Sequence, residues 1–160
     1  MKKKNITIIG LIFIMILIDQ ISKILVLNYL TDEIIIIKNF FSFLFVKNYG
    51  AAFGLFGGNV LLLIAITCGL IIYLAYDIKS NINNKLNVIC STLVLSGAIG
   101  NLIDRVIHGY VIDFISFTLF NKQMPVFNIA DICVTFGVIG LIYIMFKEEK
   151  NERSNSKRRK

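Results

Sequence analysis

Four long apolar stretches constrain the fold of this chain more than any other feature of its sequence. They occupy residues 6–30, 60–76, 86–107 and 126–146. A helix needs about 20 apolar residues, or about 17 at the short end, to cross the hydrocarbon core of a bilayer. Hydrophobic residues form 56% of the 160-residue chain and charged residues only 17%, a balance unlike that of a soluble domain. The sequence therefore predicts an all-α membrane protein with four transmembrane helices.

The first apolar stretch is predicted to remain in the mature protein as a helix. Three lysines precede it, as they would in a secretory signal peptide. It is longer than the apolar core of such a peptide, and no small-x-small cleavage site follows it. We therefore count it as the first span.

The distribution of lysine and arginine predicts the orientation of the helices. If both termini are cytoplasmic, the cytoplasmic segments hold twelve basic residues, and the outer segments hold three: Lys38, Lys47 and Lys122. Membrane proteins carry their excess of basic residues on the cytoplasmic side. We therefore expect both termini in the cytoplasm, with residues 1–146 as one membrane domain and residues 147–160 as a basic, frayed cytoplasmic tail that anchors the topology.

The net charge of +7 comes mostly from the terminal segments. A nucleic-acid-binding surface needs its basic residues gathered on one folded face. We therefore expect no nucleic-acid partner. Membrane lipids are the partners that the four spans predict.

The first outer loop, residues 31–59, contains two short runs that are typical of strands. One is a run of four isoleucines at 34–37, and the other is an aromatic and apolar run at 40–46. Both are too short to cross a membrane as helices. We expect a small extracytoplasmic β-rich loop region that rests on lipid headgroups or covers a site. A glycine-rich run at 50–58 favours close approach of the backbone before the second helix.

Ionisable side chains inside the spans are candidates for function, because placing them in a bilayer costs free energy. Asp19 and Lys23 lie four residues apart on one face of the first helix, in the order that favours an ion pair. We interpret them as a structural pair. One stripe of the third helix is predicted to hold Gly97, Asn101, Asp104, Arg105 and His108. Asn101 and Arg105 can donate hydrogen bonds there, and Asp104 has Arg105 beside it as a structural partner.

Two acids have no basic neighbour in the sequence. Asp113 follows the third helix, and Asp131 lies in the fourth predicted span, about 8 Å from its start at Val126. The predicted topology brings both toward the outer surface. Two carboxyls close together in a cleft of low dielectric share one proton, so that one acts as a base and the other as an acid. Such a pair can hydrolyse amide bonds, and Asp113 and Asp131 are the candidates.

A small proton-coupled membrane transporter is the alternative function, because such exporters also use a lone acid in the membrane. Transporter sites lie near the bilayer midplane, whereas the acids of this chain gather toward one surface. Other chemistries have little support. One histidine and three separate cysteines supply no metal-ligand spacing, and neither GxSxG nor GxxxxGKS/T occurs. We therefore expect no metal and no cofactor.

Five motifs, taken in order, resemble lipoprotein signal peptidase, the type II signal peptidase of bacteria. They are Asp19-Gln20-Ile21-Ser22-Lys23, Asn48-Tyr49-Gly50-Ala51-Ala52-Phe53, Gly97-Ala98-Ile99-Gly100-Asn101-Leu102-Ile103-Asp104-Arg105, Val111-Ile112-Asp113-Phe114 and Phe127-Asn128-Ile129-Ala130-Asp131. They extend over residues 19–131 of a four-span chain of the expected length. One departure is Ser96, which stands where the family has the first glycine of a Gly-Gly-Ala run.

The resemblance implies an intramembrane aspartyl endopeptidase of the bacterial cytoplasmic (inner) membrane, with its active site toward the outer face. Its substrates would be diacylglyceryl-modified prolipoproteins, cleaved on the N-terminal side of the lipidated cysteine. Inhibitors of the globomycin type are expected to occupy the same cleft.

The resemblance also implies roles for individual positions. It implies that Asp113 and Asp131 are the catalytic pair, in agreement with the argument from spacing. Asp19 and Lys23 match positions that are structural. The positions implied to bind substrate are Asn48, Gly50, Asn101, Arg105, Asn128 and Ala130.

Overall fold

The structure, a computed structural model, describes residues 2–50, 58–120 and 122–158. Within these ranges the chain forms four long helices: α1 (Lys2–Tyr29), α2 (Val60–Ser80), α3 (Lys85–His108) and α4 (Ile129–Arg158). Each is long and apolar enough to cross a membrane. The predicted fold class, an all-α membrane protein with four transmembrane helices, is confirmed.

Helix α3 is the centre of the bundle. It packs against α1, α2 and α4, and 56% of its apolar span is buried, compared with 11–22% for the other three helices. The outer helices expose large apolar side chains such as Phe13, Ile72 and Phe136. A bilayer accommodates these side chains because lipid tails are equally apolar. Most polar side chains of α3 can therefore contact other parts of the protein rather than lipid.

A four-stranded antiparallel sheet joins the two loops at one end of the bundle, with strand order β1-β2-β3-β4. Its strands are β1 (Ile34–Ile37), β2 (Phe41–Asn48), β3 (Val111–Leu119) and β4 (Lys122–Gln123). The first two confirm the β-rich region predicted for the loop after α1. Most of the predicted glycine-rich approach at 50–58 lies outside the described residues.

Strand β3 is absent from the prediction and carries Asp113. It begins immediately after α3, which ends at Gly109 in the left-handed conformation, with φ of 77°, a geometry that glycine adopts without strain. The first four residues of β3 are all buried, so the alternating pattern of a surface strand is missing. Pairing with β2 places Val46 opposite Asp113.

The fourth helix begins and ends later than the sequence predicts. The expected start at Val126 is wrong, because Phe127 pairs with Ile115 of β3 through hydrogen bonds of 2.8 and 3.0 Å. Helix α4 starts at Ile129 instead, so Asp131 lies in its first turn. At the other end α4 continues to Arg158. Residues 147–158 are therefore helical, where the sequence predicts a frayed segment.

Candidate active site

Asp113 and Asp131 belong to one hydrogen-bond network. Asp113 lies on β3 with its side chain 1% exposed, and Asp131 lies in the first turn of α4. Asn128 contacts both acids: its Nδ2 donates to Asp113 Oδ1 at 2.7 Å, and its backbone N–H donates to Asp131 Oδ2 at 3.2 Å. The structure therefore brings together the two acids that the sequence singled out.

Local sequence explains why Asn128 and Asp131 meet. The Asn128 side chain accepts from the backbone N–H of Asp131 at 2.9 Å, and the Asp131 side chain accepts from the backbone N–H of Asn128. This reciprocal exchange between the N-cap and the third residue of a helix is a capping box. It fixes both side chains at the start of α4. An Asn-x-x-Asp spacing before an apolar run is the sequence signal for it.

Asn101 of α3 approaches the same carboxyl from the neighbouring helix. Its Nδ2 donates to Asp131 Oδ1 at 2.8 Å, and its Oδ1 accepts from Asn128 Nδ2 at 3.2 Å. Both oxygens of Asp131 therefore accept hydrogen bonds. Gly97, one turn earlier on α3, lets the two helices approach, because a Cβ atom there would collide with the backbone oxygen of Ala130.

The loop after β2 reaches the acids from the sheet side. Asn48 Nδ2 donates to Asp113 Oδ2 at 2.8 Å, and Asn48 Oδ1 accepts from the backbone N–H of Gly50 at 2.9 Å. Arg105 Nη2 donates to the carbonyl oxygen of Gly50 at 2.9 Å. Asn48, Gly50 and Arg105 are thus connected by hydrogen bonds to one another and to Asp113. Residues 51–53 of the same motif lie outside the described part of the chain.

A buried ionic cluster lies beneath these groups. Lys23 Nζ lies 2.8 Å from Asp19 Oδ2 and 2.9 Å from Asp104 Oδ2, and all three side chains are at most 2% exposed. The predicted pair of Asp19 and Lys23 is confirmed. The expected partner of Asp104 is wrong: within the described residues its ion pair is with Lys23 of α1 rather than with the adjacent Arg105, because Arg105 extends toward Gly50.

Two further residues have positions that the sequence does not reveal. Gln20 Nε2 donates to Asp19, to Asp104 and to the backbone oxygen of Gly100 at 3.1–3.2 Å, and a glutamine inside a span is the only sequence signal for it. The polar role of Ala130 comes from its backbone N–H, which donates to Asp19 Oδ1 at 2.9 Å. His108 is exposed, and its ring lies 5.7 Å from the Tyr110 ring in a tilted arrangement instead of joining the acids.

Burial dominates the electrostatics of Asp113. The pKa of this carboxyl is raised from 3.8 to about 7, mainly because burial removes it from water and also because the negative charge of Asp131 lies nearby. Hydrogen bonds from Asn48 and Asn128 act in the opposite direction, because they stabilise the charged form. A carboxyl with a pKa near 7 can both hold and release a proton at neutral pH.

The described residues contain no group of three or more His, Cys, Asp or Glu side chains that could hold a metal ion. The donors around the two acids are amides, a guanidinium and backbone N–H groups. Such donors bind carboxylate and carbonyl oxygens. The arrangement can therefore orient two carboxyls and a substrate carbonyl group.

Sequence comparison identifies the family. The family model of signal peptidase (SPase) II matches residues 11–147 of this chain. The chain belongs to the signal peptidase II family. Proteins named lipoprotein signal peptidase from Clostridium tetani and Clostridium acetobutylicum are 42% and 44% identical to it. Each alignment covers 86% of this chain, and they cover 90% and 92% of the two relatives.

Solved structures of bacterial membrane enzymes share the fold. One, determined by the in meso method, has a TM-score of 0.85 at 32% identity and covers 91% of this chain and 90% of its own. Another has a TM-score of 0.80 at 33% identity and covers 88% and 93%. Membership of the signal peptidase II family makes the chain a multi-pass membrane protease that removes signal peptides. This family membership does not favour the alternative function, a proton-coupled transporter.

Proposed function

We propose that the chain is an aspartyl endopeptidase that removes the signal peptide from diacylglyceryl-modified prolipoproteins, with Asp113 and Asp131 as its catalytic pair. The observation that carries this proposal is the contact of Asn128 with both carboxyls. The relatives named lipoprotein signal peptidase support the choice of substrate. Cleavage N-terminal to the lipidated cysteine is part of the same proposal.

The reaction follows from one proton shared between two acids. Asp113, with its pKa raised to about 7, holds the proton at neutral pH, and Asp131 takes a proton from water as the water oxygen attacks the scissile carbonyl carbon. Asp113 gives its proton to the carbonyl oxygen, which yields a tetrahedral gem-diol. The peptide C–N bond then breaks as Asp131 gives its proton to the nitrogen and Asp113 takes a proton from one gem-diol hydroxyl, which leaves a carboxyl product and restores the pair. No cofactor enters these steps.

Six residues around the pair are proposed to bind or orient the substrate. Asn101 and Asn128 hold the carboxyls through the contacts given above. Arg105 and the Asn48–Gly50 segment form the opposite side, where a donor can meet a substrate carbonyl oxygen. Ala130 donates its backbone N–H to Asp19 Oδ1, and it is proposed to orient the first turn of α4, which carries Asp131. Globomycin-type inhibitors are proposed to bind at the same site.

The orientation is proposed from charge. The sheet that carries Asp113 joins the end of the bundle opposite to the α2–α3 turn, and the basic termini lie on the side of that turn. Because basic segments stay in the cytoplasm, we assign both termini to the cytoplasm and the acids to the outer face of the bacterial inner membrane. Two single-cysteine variants, Asn39→Cys on the sheet side and Asn83→Cys at the α2–α3 turn, test this orientation in a background without the native cysteines. A membrane-impermeant maleimide added to intact cells should label Asn39→Cys and should not label Asn83→Cys.

The proposed catalytic pair is tested by cleavage of a diacylglyceryl-modified prolipoprotein in detergent. We expect Asp113→Asn and Asp131→Asn each to lower kcat by about 10²- to 10⁴-fold, the range for loss of a general acid or base. Asp77→Asn is the matched control, because Asp77 also accepts a partly buried hydrogen bond, from Ser91 Oγ at 2.7 Å, at the other end of the bundle. Full cleavage by either active-site variant would overturn the pair.

Substrate choice is tested in the same assay. The same prolipoprotein without its diacylglyceryl group should be cleaved far more slowly by the unaltered enzyme, because in the proposed function the enzyme binds the acyl chains as well as the peptide. Equal cleavage of the two forms would contradict the proposed requirement for lipid and would leave the catalytic pair standing.

A further inference from the structure

The Lys23 ammonium has a third hydrogen bond beyond its two ion pairs. Its Nζ donates to Asn101 Oδ1 at 3.0 Å, in addition to lying against Asp19 and Asp104. A lysine ammonium carries three N–H donors and no acceptor. The three contacts therefore use all of its donors, two on acids and one on an amide that touches Asp131.

This third contact determines which way the Asn101 amide points. The Oδ1 atom faces two donors, Lys23 Nζ and Asn128 Nδ2, while Nδ2 faces Asp131 Oδ1. A rotation of the amide by 180° would set its NH₂ group against an ammonium and its oxygen against a carboxylate. Both contacts would then be repulsive. The charge of Lys23 thus selects the orientation in which Asn101 donates to Asp131.

We propose that Lys23 is a positioning residue for the reaction: it orients the Asn101 amide, and through that amide it holds Asp131 in the geometry that peptide cleavage needs. The inference rests on the proposed catalytic role of Asp131. Lys23 does not itself touch the substrate, because its side chain is 1% exposed and all its N–H donors are used.

A purely structural role for Lys23 makes a different prediction. Lys23 would then contribute only the two ion pairs with Asp19 and Asp104, and its loss would lower stability without changing kcat of the folded enzyme. In the positioning role the loss acts through Asn101. A small displacement of a catalytic group lowers kcat more than it changes substrate affinity. The split between kcat and KM therefore separates the two roles.

The variant must avoid leaving buried acids without a partner. Lys23→Met alone leaves two buried carboxylates unpaired, which can prevent folding. The variant Asp19→Asn/Lys23→Met/Asp104→Asn, which we call charge-balanced because it leaves neither an acid nor a lysine in the cluster, removes this problem. An asparagine at 19 or 104 keeps an oxygen for the backbone N–H of Ala130 or Ile112, which donate there at 2.9 and 3.1 Å. Ser91→Ala is the control for lost stability, because it removes a partly buried hydrogen bond from α3 to Asp77 of α2, at the end of the bundle away from Asp113 and Asp131.

A double-mutant cycle with Asn101→Ala tests the route of the effect. In the presence of Asn101 we expect the charge-balanced variant to lose kcat by about 10- to 100-fold at unchanged KM. In the Asn101→Ala background the same substitutions should change kcat by less than about twofold. Ser91→Ala should lower the melting temperature and leave kcat unchanged.

Two outcomes overturn the inference: wild-type kcat in the charge-balanced variant, or equal losses of kcat with and without Asn101. The kcat of Asp131→Asn is measured in the same experiment. If Asp131→Asn keeps full activity, the proposed catalytic pair fails. If it is inactive and the cycle is additive, only the positioning role of Lys23 fails.

Discussion

Asn48 donates a hydrogen bond from its Nδ2 to Oδ2 of Asp113 at 2.8 Å, from one strand of the sheet to the next. The two residues are 65 positions apart in the sequence. The donor stabilises the ionised form of Asp113 and so opposes the effect of burial; with this contact in place the pKa of Asp113 is about 7. This contact therefore links the loop after β2 to the protonation of a proposed catalytic acid.

Replacing Asn48 is expected to move the pH dependence of the reaction. Activity needs a proton on Asp113 in the proposed mechanism, so kcat should fall as the pH rises through about 7. Asn48→Ala removes a donor to the charged form and raises the pKa of Asp113. The alkaline limb of the kcat–pH profile should therefore move to higher pH. The control is Asn81→Ala, at the α2–α3 turn, which should leave the alkaline limb unchanged. A shift of that limb to lower pH with Asn48→Ala would contradict the role of Asp113 as the proton donor.

The raised pKa of Asp113 also predicts how stability depends on pH. Between pH about 4 and about 7 the folded chain holds a proton on Asp113 that the unfolded chain has released. The free energy of unfolding should therefore decrease as pH rises through this interval and level off above it. Asp113→Asn should flatten that slope. Melting temperatures in detergent from pH 4 to pH 8 measure it, and parallel curves for the two proteins would refute the prediction.

Two glycines of α3 are expected to be intolerant of alanine. A Cβ atom on Gly100 would lie 2.6 Å from Asp19 Oδ2, and one on Gly97 would meet the backbone oxygen of Ala130. Each alanine should destabilise the protein by about 1–3 kcal/mol, because the neighbours are packed. Gly97→Ala should also lower kcat, since it displaces the turn that carries Asp131. Gly69→Ala, with open space around its Cβ position, is the control in unfolding by detergent titration.

Arg105 is expected to contribute to substrate affinity through the segment that it holds. Its Nη2 donates to the Gly50 oxygen at 2.9 Å, and a hydrogen bond from a charged group contributes about 1.5–3 kcal/mol. Arg105→Lys keeps the charge but loses the planar fork of donors. We expect KM to rise by about 10- to 100-fold, with a smaller change in kcat. The control is Lys122→Met, on the exposed strand β4, which should change neither kcat nor KM. An unaltered KM with Arg105→Lys would exclude a role of Arg105 in substrate affinity.

Chelators are expected to leave the reaction unaffected. Within the described residues the donors around the two acids are amides, a guanidinium and backbone N–H groups rather than a metal-binding cluster. Cleavage rates with and without EDTA, after dialysis against metal-free buffer, measure this. Loss of activity that returns on addition of a divalent cation would contradict the proposed mechanism.

The membrane spans and the first two strands could be predicted because they depend on local composition. A bilayer requires a continuous apolar stretch of a given length, and such a stretch can be counted in the sequence. The short isoleucine and phenylalanine runs were too short to span, which left strands as the remaining structure. The ion pair of Asp19 with Lys23 was equally accessible, since four residues make one helical turn.

The site itself could be predicted only in part. The acids Asp113 and Asp131 stood out because they lacked a basic neighbour in an apolar chain. Strand β3 and the start of α4 could not be predicted, because Phe127 pairs with Ile115 only once α3 has brought the two segments together. Strand β3 does not alternate between buried and exposed residues, so the sequence contains no pattern that predicts this pairing.

The sequence by itself determined the four spans, the β-rich loop after the first of them and the residues able to do acid–base chemistry. Only the tertiary structure decided which side chains meet: Lys23 with Asp104 and Asn101, and Asn48 with Asp113. The physical reason is the range of the forces. Hydropathy and helical spacing act over one element, whereas a buried charge must find its partner wherever packing brings one within hydrogen-bond distance.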